Sequence, residues 1–394
     1  MVLTPTYDGR DLLKLGLKIC SRCIYDQSID GITYDDDGIC NYCHMVNGLK
    51  EKYKTATSEG HNAFQEIVEE IRVAGSGKPY DVIIGVSGGT DSSYLLHLAC
   101  HHGLRPLAVH YDNTWNTAVA TQNIRAVTKR LNVDLVTHVC DAAESADIFR
   151  SFFFASVPEI DGPTDLAINE VLYRAAAKYK VKYIFDGHSF IGEGISPLGR
   201  SYCDGAYIAG IHKQFGSVPI RTFPNMRFWR FLYWSAIRTM KKIRPLWYIS
   251  YNQSEAQSLL ADQYGWSYYG GHHLENRMTA FNHSYYFPTK FNVDQRNNSL
   301  SAACREGLIS QEQALAELAS PPYMEGDLLE YVRKRFAITE EEWMSIMSRQ
   351  VRTYRDYKTY KKRFELFRPV FGILANRGLV AESFFLKYCF PQET

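Results

Sequence analysis

The feature that most constrains this chain is a glycine- and serine-rich run, GVSGGTDSS at 85–93. The apolar segment VIIGV at 82–86 leads into it, and a helix-like segment follows near 91–102. Two consecutive glycines allow a tight turn whose backbone amides face an anion, and a helix that begins there adds unsatisfied N–H groups at its positive end. The run therefore predicts a strand, an anion-binding turn and a helix in succession.

Further apolar segments lie at 107–111, 135–139 and 183–185, with helix-like stretches near 118–131 and 165–180 between them. Strands that are apolar almost throughout and alternate with helices are typical of a parallel sheet covered on both faces. We therefore predict a doubly wound α/β fold. Its ligand is expected at the carboxyl edge of the sheet, where the glycine-rich run follows the first strand.

The content of the run narrows the kind of anion site. It lacks the lysine of a Walker A loop and the spacing of a Rossmann fingerprint. SGGTDS resembles instead the SGGxDS loop of the PP-loop ATP pyrophosphatases, which cleave ATP between the α and β phosphates. The resemblance implies ATP and Mg²⁺ as cofactors, with Asp91 as the candidate metal-holding and catalytic carboxylate. The ATP-binding residues predicted here are Gly85, Val86, Ser87, Gly88, Gly89, Asp91, Ser92 and Ser93.

Polar residues also follow two other predicted strands. Because the carboxyl ends of parallel strands share one edge of a sheet, these residues are further candidate contacts to ATP. They are Tyr111, Asp112 and Asn113 after the second strand, and Asp186, Gly187 and His188 after a later one.

Four cysteines form two CxxC pairs, Cys20–Cys23 and Cys40–Cys43, separated by sixteen residues. Paired spacings of this kind bring two knuckles together around one tetrahedral Zn²⁺, and four thiolates leave no open coordination position. We predict a structural zinc ribbon. An iron–sulfur cluster is the alternative by ligand type.

Three segments are expected along the 394 residues: a zinc ribbon with a connecting helix at 1–60, a PP-loop domain at 61–270 and a substrate-contacting helical module at 271–394. In the last segment, Ser310 with Gln313 and Thr339 with Glu342 have the spacing of a capping box. No run of apolar residues is long enough to span a membrane, and the N-terminus does not read as a signal peptide, so a cytoplasmic location is expected.

The net charge is only +1, which argues against a nucleic-acid partner. Between 205 and 254 there is no acidic residue and there are eight basic ones. This basic stretch is either a surface that seeks anions or a helix face that meets acids from elsewhere in the chain.

Longer segments resemble one particular family. They are GHSFIGEGISPLG at 187–199, IHKQFG at 211–216 and the block at 265–318, and they are similar to the N-acetyl sugar amidotransferases. The resemblance extends from about Cys20 to about 345. It implies conversion of a sugar acetamido group into an acetamidino group in bacterial surface-polysaccharide or nonulosonic-acid pathways, with an N-acetylated, nucleotide-linked sugar as substrate.

Charged residues in these segments are the candidates for that chemistry. Lys290, Glu193 and Glu275 join Asp91 as predicted catalytic residues, for stabilising charge on phosphate or handling protons. The predicted substrate-binding residues are His273, Glu275, Lys290, Asp294 and Arg296. For each, an ion-paired structural role is an equally good interpretation.

Ammonia requires a source, and the sequence has no recognisable glutaminase nucleophile. A separate glutaminase partner is expected, as the family resemblance also implies. The aromatic and basic residues from Arg227 to Trp247 are one candidate docking surface; a membrane surface or the pyrophosphate of a nucleotide sugar is the alternative occupant.

Two other functions remain open on sequence grounds. A tRNA-modifying enzyme of the same superfamily also combines a zinc ribbon with this loop, but it predicts a catalytic cysteine pair and a broad basic face. A non-catalytic, nucleotide-binding scaffold for a glutaminase has no need of Asp91.

Overall fold

A computed structural model of the chain describes residues 7–196, 201–271 and 274–391. Five parallel strands form one sheet in the order β3-β2-β1-β4-β5. They are β1 Val82–Gly85, β2 Pro106–Asp112, β3 Leu135–Val139, β4 Tyr183–Phe185 and β5 Lys241–Ile243. The chain builds outward from β1 in one direction to β3 and then in the other direction to β5. The crevice between β1 and β4 is therefore the point at which the strand order reverses, where open α/β sheets bind ligands.

Alternate residues of the central strands enter two different cores, as the period of a strand requires. Ile83 and Ile184 belong to one hydrophobic cluster, while Ile84 and Phe185 belong to another on the opposite face. Both faces are thus covered, which confirms the predicted doubly wound α/β fold.

Helices around the sheet form these two faces. The bounds up to β5 are α1 Asn41–Tyr53, α2 Ser58–Ala74, α3 Thr90–His101, α4 Ala118–Leu131, α5 Ala142–Ala155, α6 Gly162–Lys178, α7 Gly205–Phe215 and α8 Phe228–Leu232, which continues into a π-helical turn at Tyr233–Ile237. Helices α3, α4 and α6 coincide with the three predicted from the apolar pattern to within about three residues.

Two strands differ from the sequence prediction. β3 was expected to be buried on both faces, but Leu135 and Val139 are exposed because β3 is the edge strand of the sheet. β5 was not predicted, since its residues Lys241, Lys242 and Ile243 have no apolar pattern and only its pairing with β4 makes it a strand.

The C-terminal part is helical, as predicted. Its helices are α9 Gln253–Tyr264, α10 Arg277–Phe281, α11 Phe287–Phe291, α12 Arg296–Arg305, α13 Gln311–Leu318, α14 Leu328–Phe336, α15 Glu340–Ser348, α16 Lys361–Leu366, α17 Arg368–Asn376 and α18 Glu382–Cys389. Both predicted capping boxes are present, at the starts of α13 and α15. A third, Thr353 with Asp356, starts a 3₁₀ turn.

The largest hydrophobic cluster takes residues from both the predicted second and third segments, for example Ile83, Phe153, Phe281 and Trp343. The proposed boundaries at 60 and 270 stay predictions. Among the described residues, no helix has the length and apolar content needed to cross a bilayer.

Candidate functional site

The glycine-rich loop between β1 and α3 has a conformation that its sequence explains. Gly88 has φ +86°, a left-handed value that side chains disfavour, and a Cβ there would lie 2.2 Å from the carbonyl oxygen of Ala120. That close approach is fixed by two donors to the Gly88 carbonyl, Asn123 Nδ2 at 3.2 Å and Trp266 Nε1 at 3.0 Å. The loop is therefore held from outside by α4 and by the segment after α9.

Hydroxyl groups order the inside of the loop. Ser92 Oγ accepts a hydrogen bond from the Ser87 amide at 3.2 Å, and Ser87 Oγ accepts one from the Gly89 amide at 3.2 Å. Gly89 is the N-cap of α3, and no side chain caps that helix. The amides of its first turn, with the positive end of the helix dipole, are thus arranged to donate hydrogen bonds to an anion. Ser93, one residue further, is buried.

Asp91, in the first turn of α3, carries the loop's carboxylate. Tyr251 donates a hydrogen bond from its phenol to Asp91 Oδ1. Burial raises the pKa of Tyr251, and the negative charge of Asp91 raises it further, so the phenol stays protonated and remains a donor. Tyr251, which follows β5 in the chain, therefore fixes the direction in which the Asp91 carboxylate points.

The residues after β4 lie at the same edge of the sheet. Asp186 forms an ion pair with Arg244, whose Nε lies 3.3 Å from Oδ2, and Arg244 directly follows β5. Burial alone would raise the pKa of Asp186, but Arg244 and Lys242 outweigh it and hold that pKa at about 2. Asp186 is therefore a permanent anion that positions Arg244. His188 Nε2 lies 3.8 Å from Glu193 Oε2, which brings two predicted site residues together.

The predicted ATP contacts at the carboxyl end of β2 make hydrogen bonds and ring contacts mainly with other residues of the protein. Asn113 is buried, and its Oδ1 accepts hydrogen bonds from the Trp115 amide and from Asn276 Nδ2. Tyr111 is also buried and stacks on His138, and burial raises its pKa. Asn113 therefore holds the loop after β2 and Tyr111 packs against β3, whereas the half-buried Asp112 accepts a hydrogen bond from the Thr114 amide.

Glu275 joins the C-terminal part of the chain to the glycine-rich loop. Its Oε1 accepts a hydrogen bond from Ser87 Oγ at 3.3 Å, and a Cβ at Gly89 would lie 3.0 Å from the same oxygen. The Glu275 carbonyl accepts from the Thr117 amide at 2.9 Å, so the segment that starts with Glu275 is anchored to the start of α4. Two carboxylates, Asp91 and Glu275, are therefore held at the loop by separate parts of the chain.

Lys290 occupies a different environment from the one predicted. Its ammonium donates to the carbonyl oxygens of Ile346, Met347 and Arg349 at 2.6, 3.1 and 3.0 Å, at the C-terminal end of α15. All three of its donors are thus engaged at a helix end, where a cation is favoured. Burial lowers its pKa to about 8, with a further contribution from Arg349. These contacts make Lys290 a residue that caps the C-terminal end of α15.

Asp294 and Arg296 are likewise used within the fold. Arg296 Nη2 lies 2.6 Å from Asp294 Oδ2, and the same guanidinium donates to the carbonyls of Glu317, Leu318 and Ser320. The pair therefore ties the start of α12 to the end of α13. His273, the remaining predicted substrate contact, lies outside the described residues.

The basic stretch at 205–254 divides into two groups. Lys241 pairs with Glu70, Arg244 with Asp186, and Arg230 with the buried Glu170. These cations meet acids from elsewhere in the chain, which was one of the two interpretations of the sequence. Arg227 and Arg238 are exposed and form no salt bridge with any residue in the described ranges.

The four paired cysteines converge at one point, as the spacing predicts. All four are buried and their sulfur atoms lie within 4.8 Å of one another, with Cys20 to Cys43 at 3.9 Å and Cys23 to Cys40 at 3.8 Å. Four thiolates at a metal–sulfur distance of about 2.3 Å lie roughly 3.8 Å apart at the corners of a tetrahedron. The donor set therefore fits a closed, structural Zn²⁺ site.

The surroundings of the cluster fit an anionic tetrathiolate. Arg305 of α12 is buried, its Nε donates to Cys43 Sγ at 3.2 Å, and its Nη2 donates to Cys23 Sγ at 3.5 Å. Tyr25 stacks against this guanidinium and donates to the carbonyl of Ile195 at 2.6 Å. The cluster is thus joined to α12 and to the segment that carries Glu193.

Several of these residues have no marker in the sequence. Tyr251 and Trp266 reach the loop, Arg305 reaches the cysteines and Arg244 reaches Asp186, in each case from a distant position in the chain. Trp266 and Arg305 lie in the block at 265–318 and Arg244 lies in the basic stretch, but neither sequence pattern indicated these contacts.

The parallel sheet, with its glycine–serine loop at the crevice between β1 and β4, is an α/β fold whose loop resembles that of the PP-loop ATP pyrophosphatases. Residues 275–370 match the family described as "LPS biosynthesis protein WbpG-like, C-terminal domain". Residues 275–370 are therefore similar to that domain family, and the match begins with the residue that contacts Ser87. This confirms the resemblance stated from the sequence for the part of the chain that matches.

Other comparisons are more distant. An uncharacterized protein of Methanocaldococcus jannaschii is 28% identical over 184 residues, which are 46% of this chain and 61% of that relative's length. The NMN synthetase from Francisella tularensis is 13% identical with a TM-score of 0.28, over 73% of this chain and 95% of its own. The NH₃-dependent NAD synthetase from Campylobacter jejuni is 15% identical with a TM-score of 0.31, over 73% and 97%.

Proposed function

We propose that this protein is an ATP-dependent amidotransferase that converts the N-acetyl group of a sugar into an acetamidino group during bacterial surface-glycan synthesis. The observation that carries the proposal is the contact between Ser87 of the glycine-rich loop and Glu275. Glu275 is the first residue of the WbpG-like domain, and it lies at the loop where ATP would bind. A substrate held by that domain would therefore meet the α-phosphate.

The reaction has two steps. An amide is a poor electrophile, so its carbonyl oxygen first attacks the α-phosphorus of ATP, and the bond to the bridging oxygen of the β-phosphate breaks to release pyrophosphate. Ammonia then attacks the carbon of the adenylated imidate, loses a proton, and the carbon–oxygen bond breaks to release AMP. The amide oxygen leaves in AMP, and nitrogen takes its place.

The loop would stabilise the first step. Charge develops on phosphate oxygens, and the uncapped amides at the start of α3 are donors arranged to receive it before the reaction begins. Asp91 would hold Mg²⁺, which supplies Lewis-acid stabilisation of phosphate charge when bound. Arg244, at the same edge of the sheet, is the cation that replaces the sequence candidate Lys290 in this proposal.

Glu275 and Glu193 are the proposed proton-handling groups. Each is a carboxylate at the edge of the sheet that carries the loop, and Glu193 lies beside His188. Ammonium must lose a proton before it attacks, and a carboxylate within reach of the imidate carbon is suited to accept it. We include in the same proposal that these two carboxylates contact hydroxyls or phosphates of the sugar substrate.

The ammonia would come from a separate glutaminase.

The five cysteines outside the cluster are distributed over different elements, with Cys100 in α3, Cys140 after β3, Cys203 before α7, Cys304 in α12 and Cys389 in α18. Among the described residues, the cysteines of the two CxxC pairs are the only such group with the geometry of a metal site. This distribution gives no support to the tRNA-thiolase alternative, which requires a catalytic pair at the loop.

The decisive experiment uses an oxygen label. The purified protein is incubated with Mg-ATP, ammonium and a panel of N-acetylated nucleotide sugars whose acetamido oxygen is ¹⁸O. We expect pyrophosphate release, a product lighter by the exchange of oxygen for NH, and ¹⁸O in the AMP. Asp91→Ala should abolish all three, whereas Asp262→Ala, an exposed acid in α9, should not.

Two results would contradict the proposal. ATP binding without pyrophosphate release in the presence of every sugar and ammonium would favour the scaffold function. Pyrophosphate release that depends on tRNA and is indifferent to the sugars would favour the tRNA-modifying enzyme.

A further inference from the structure

A helical surface far along the chain from the loop exposes large apolar side chains in a regular pattern. Trp229, Tyr233 and Ile237 follow one another at intervals of four residues on α8 and the π-helical turn after it. Trp229 is 59% exposed and Ile237 is 71% exposed. Phe228 and Trp234, on the other side of the same helix, are buried. This helix therefore has one packed face and one apolar face that is open.

A second helix pair repeats the pattern. Leu366, Val370 and Ile373 are spaced by four and three residues over α16 and α17. Leu366 is 75% exposed and Ile373 is 54% exposed, whereas Phe371 and Leu374 of α17 are buried. The spacing is that of a single face of a helix.

The two open faces belong to one surface. The Trp229 and Phe367 rings lie 5.4 Å apart edge to face, and the Phe231 and Phe371 rings stack at 6.0 Å. The buried sides of both helices share one hydrophobic cluster that includes Phe228 and Phe371. We call the six exposed residues of the two helices the apolar stripes. Most of this surface lies outside the WbpG-like match, which ends at 370.

Basic side chains border the apolar stripes. They are exposed at the ends and sides of both helices, and they are Arg227, Arg238, Lys362, Arg363, Arg368 and Arg377. Within 7–196, 201–271 and 274–391 none of the six has a salt-bridge partner. Two acids of α16 and α18 are engaged in ion pairs with other residues, Glu365 with Lys361 and Glu382 with Lys52.

This combination distinguishes between kinds of partner. A non-obligate protein interface is about as apolar as the rest of a protein surface, and it has a polar rim whose charge complements that of the partner. A lipid surface instead accepts Trp and Tyr at the headgroup level, aliphatic side chains just below it, and Arg or Lys that extend to the phosphates. Apolar stripes bordered only by cations match the second description.

We propose that the surface formed by α8, the turn after it, α16 and α17 binds an anionic lipid membrane peripherally. The apolar stripes enter the boundary between headgroups and acyl chains, and the bordering arginines and lysines contact lipid phosphates. This attachment is independent of the proposed reaction, because none of the residues in it lies in the loop or contacts Glu275.

Vesicle co-sedimentation tests the proposal with the whole protein. We expect binding to vesicles that contain phosphatidylglycerol, weak binding to vesicles of phosphatidylcholine alone, and a decrease in binding as salt concentration rises. Arg227→Gln combined with Arg377→Gln should weaken binding roughly five-fold per arginine removed. Trp229→Ser combined with Ile373→Ser should weaken it by about ten-fold or more.

A matched control keeps the result interpretable. Leu308→Ser removes another exposed leucine, away from the stripes, and should bind as the unchanged protein does. Circular dichroism and the melting temperature should be unchanged in every variant, because the replaced side chains are exposed. Absence of binding to anionic vesicles at low salt, or equal binding by all variants, would overturn the proposal. Dimerisation abolished by Trp229→Ser with Ile373→Ser, in the absence of vesicle binding, would assign the surface to a second copy of the chain and overturn it too.

Discussion

The cysteine cluster and the glycine-rich loop are both small polar sites, yet they are built in opposite ways. The four sulfur atoms of the cluster face one another, are buried, and receive hydrogen bonds from Arg305 of α12. The loop presents backbone amides at the start of α3 that no side chain caps. The cluster has the geometry of a closed metal site, whereas the loop is an open arrangement of hydrogen-bond donors.

This difference has a thermodynamic consequence. In a closed metal site the binding free energy is part of the folding free energy, so damage there appears as loss of structure. In an open phosphate site the donors act most strongly on charge that develops during the reaction, so damage appears as loss of rate. Substitutions at the two sites should therefore separate stability from activity.

The largest effect is expected at the cluster. Cys40→Ser removes one of four ligands and should abolish stoichiometric zinc, with loss of much of the roughly 10–16 kcal/mol that a structural site contributes. Zinc content and the melting temperature are the measurements, and Cys100→Ser, a half-buried thiol in α3, is the control that should keep its zinc. A Cys40→Ser protein with full zinc content and an unchanged melting temperature would contradict the prediction that the cluster is a closed, structural metal site.

Asp91→Asn should give the opposite phenotype. We expect the rate of pyrophosphate release to fall by roughly a thousand-fold, because a positioned charge at the loop is lost, while the melting temperature changes little. Steady-state kinetics beside thermal unfolding make the test, with Asp262→Asn as a matched acid outside the loop. Retained activity in Asp91→Asn would show that the loop carboxylate is not part of the chemistry.

Gly88→Ala should lower both stability and activity, so at this position the two effects are not separated. The new methyl group would lie 2.2 Å from the Ala120 carbonyl at a left-handed backbone angle, at a cost of about 2 kcal/mol or more and with a displaced loop. Gly265→Ala is the matched control, because its φ is +70° and nothing lies within 4 Å of the added methyl. Denaturant unfolding should show the smaller cost, about 1 kcal/mol, for Gly265→Ala. Equal costs would mean that contact with Ala120 is not what requires glycine at 88.

Arg305→Met tests whether the closed site depends on the C-terminal helices. Partners of ligating groups typically contribute 10- to 100-fold to metal affinity, and we expect a loss of that order in competition with a chelator. Arg305→Lys should recover only part of it, since a lysine cannot donate to Cys43 and Cys23 in the same fork. Unaltered zinc affinity in Arg305→Met would show that the cluster is self-sufficient.

Tyr251→Phe is expected to have the smallest effect. It removes the donor to Asp91 Oδ1 without changing shape, so we expect about a ten-fold decrease in kcat with little change in the KM for ATP. Removal of a merely structural contact would instead lower the melting temperature and leave kcat intact.

Much of the sheet and of the loop was predictable from the sequence. The strands β1, β2 and β4 are continuous apolar runs, and helices α3, α4 and α6 follow them with the expected spacing. β5 was not predictable, because Lys241 and Lys242 have no strand pattern and pair with β4 through the backbone alone. The contacts of Lys290 were not predictable for a related reason: its charge suggested a phosphate partner, whereas its ammonium contacts the carbonyls at the end of α15.

What the sequence by itself determined are features set by neighbouring residues. The glycines and serines at 85–93, the two CxxC pairs and the capping boxes specify a turn, a metal site and helix starts through spacing within a few residues. Only the tertiary structure decided which distant side chains complete these features. Glu275 reaches Ser87, Tyr251 reaches Asp91 and Arg305 reaches the cysteines, because packing of the helices beyond 250 onto the sheet and the ribbon brings them there. Local sequence patterns do not predict such contacts, because buried positions and the partners of charged side chains arise only when separate elements pack together.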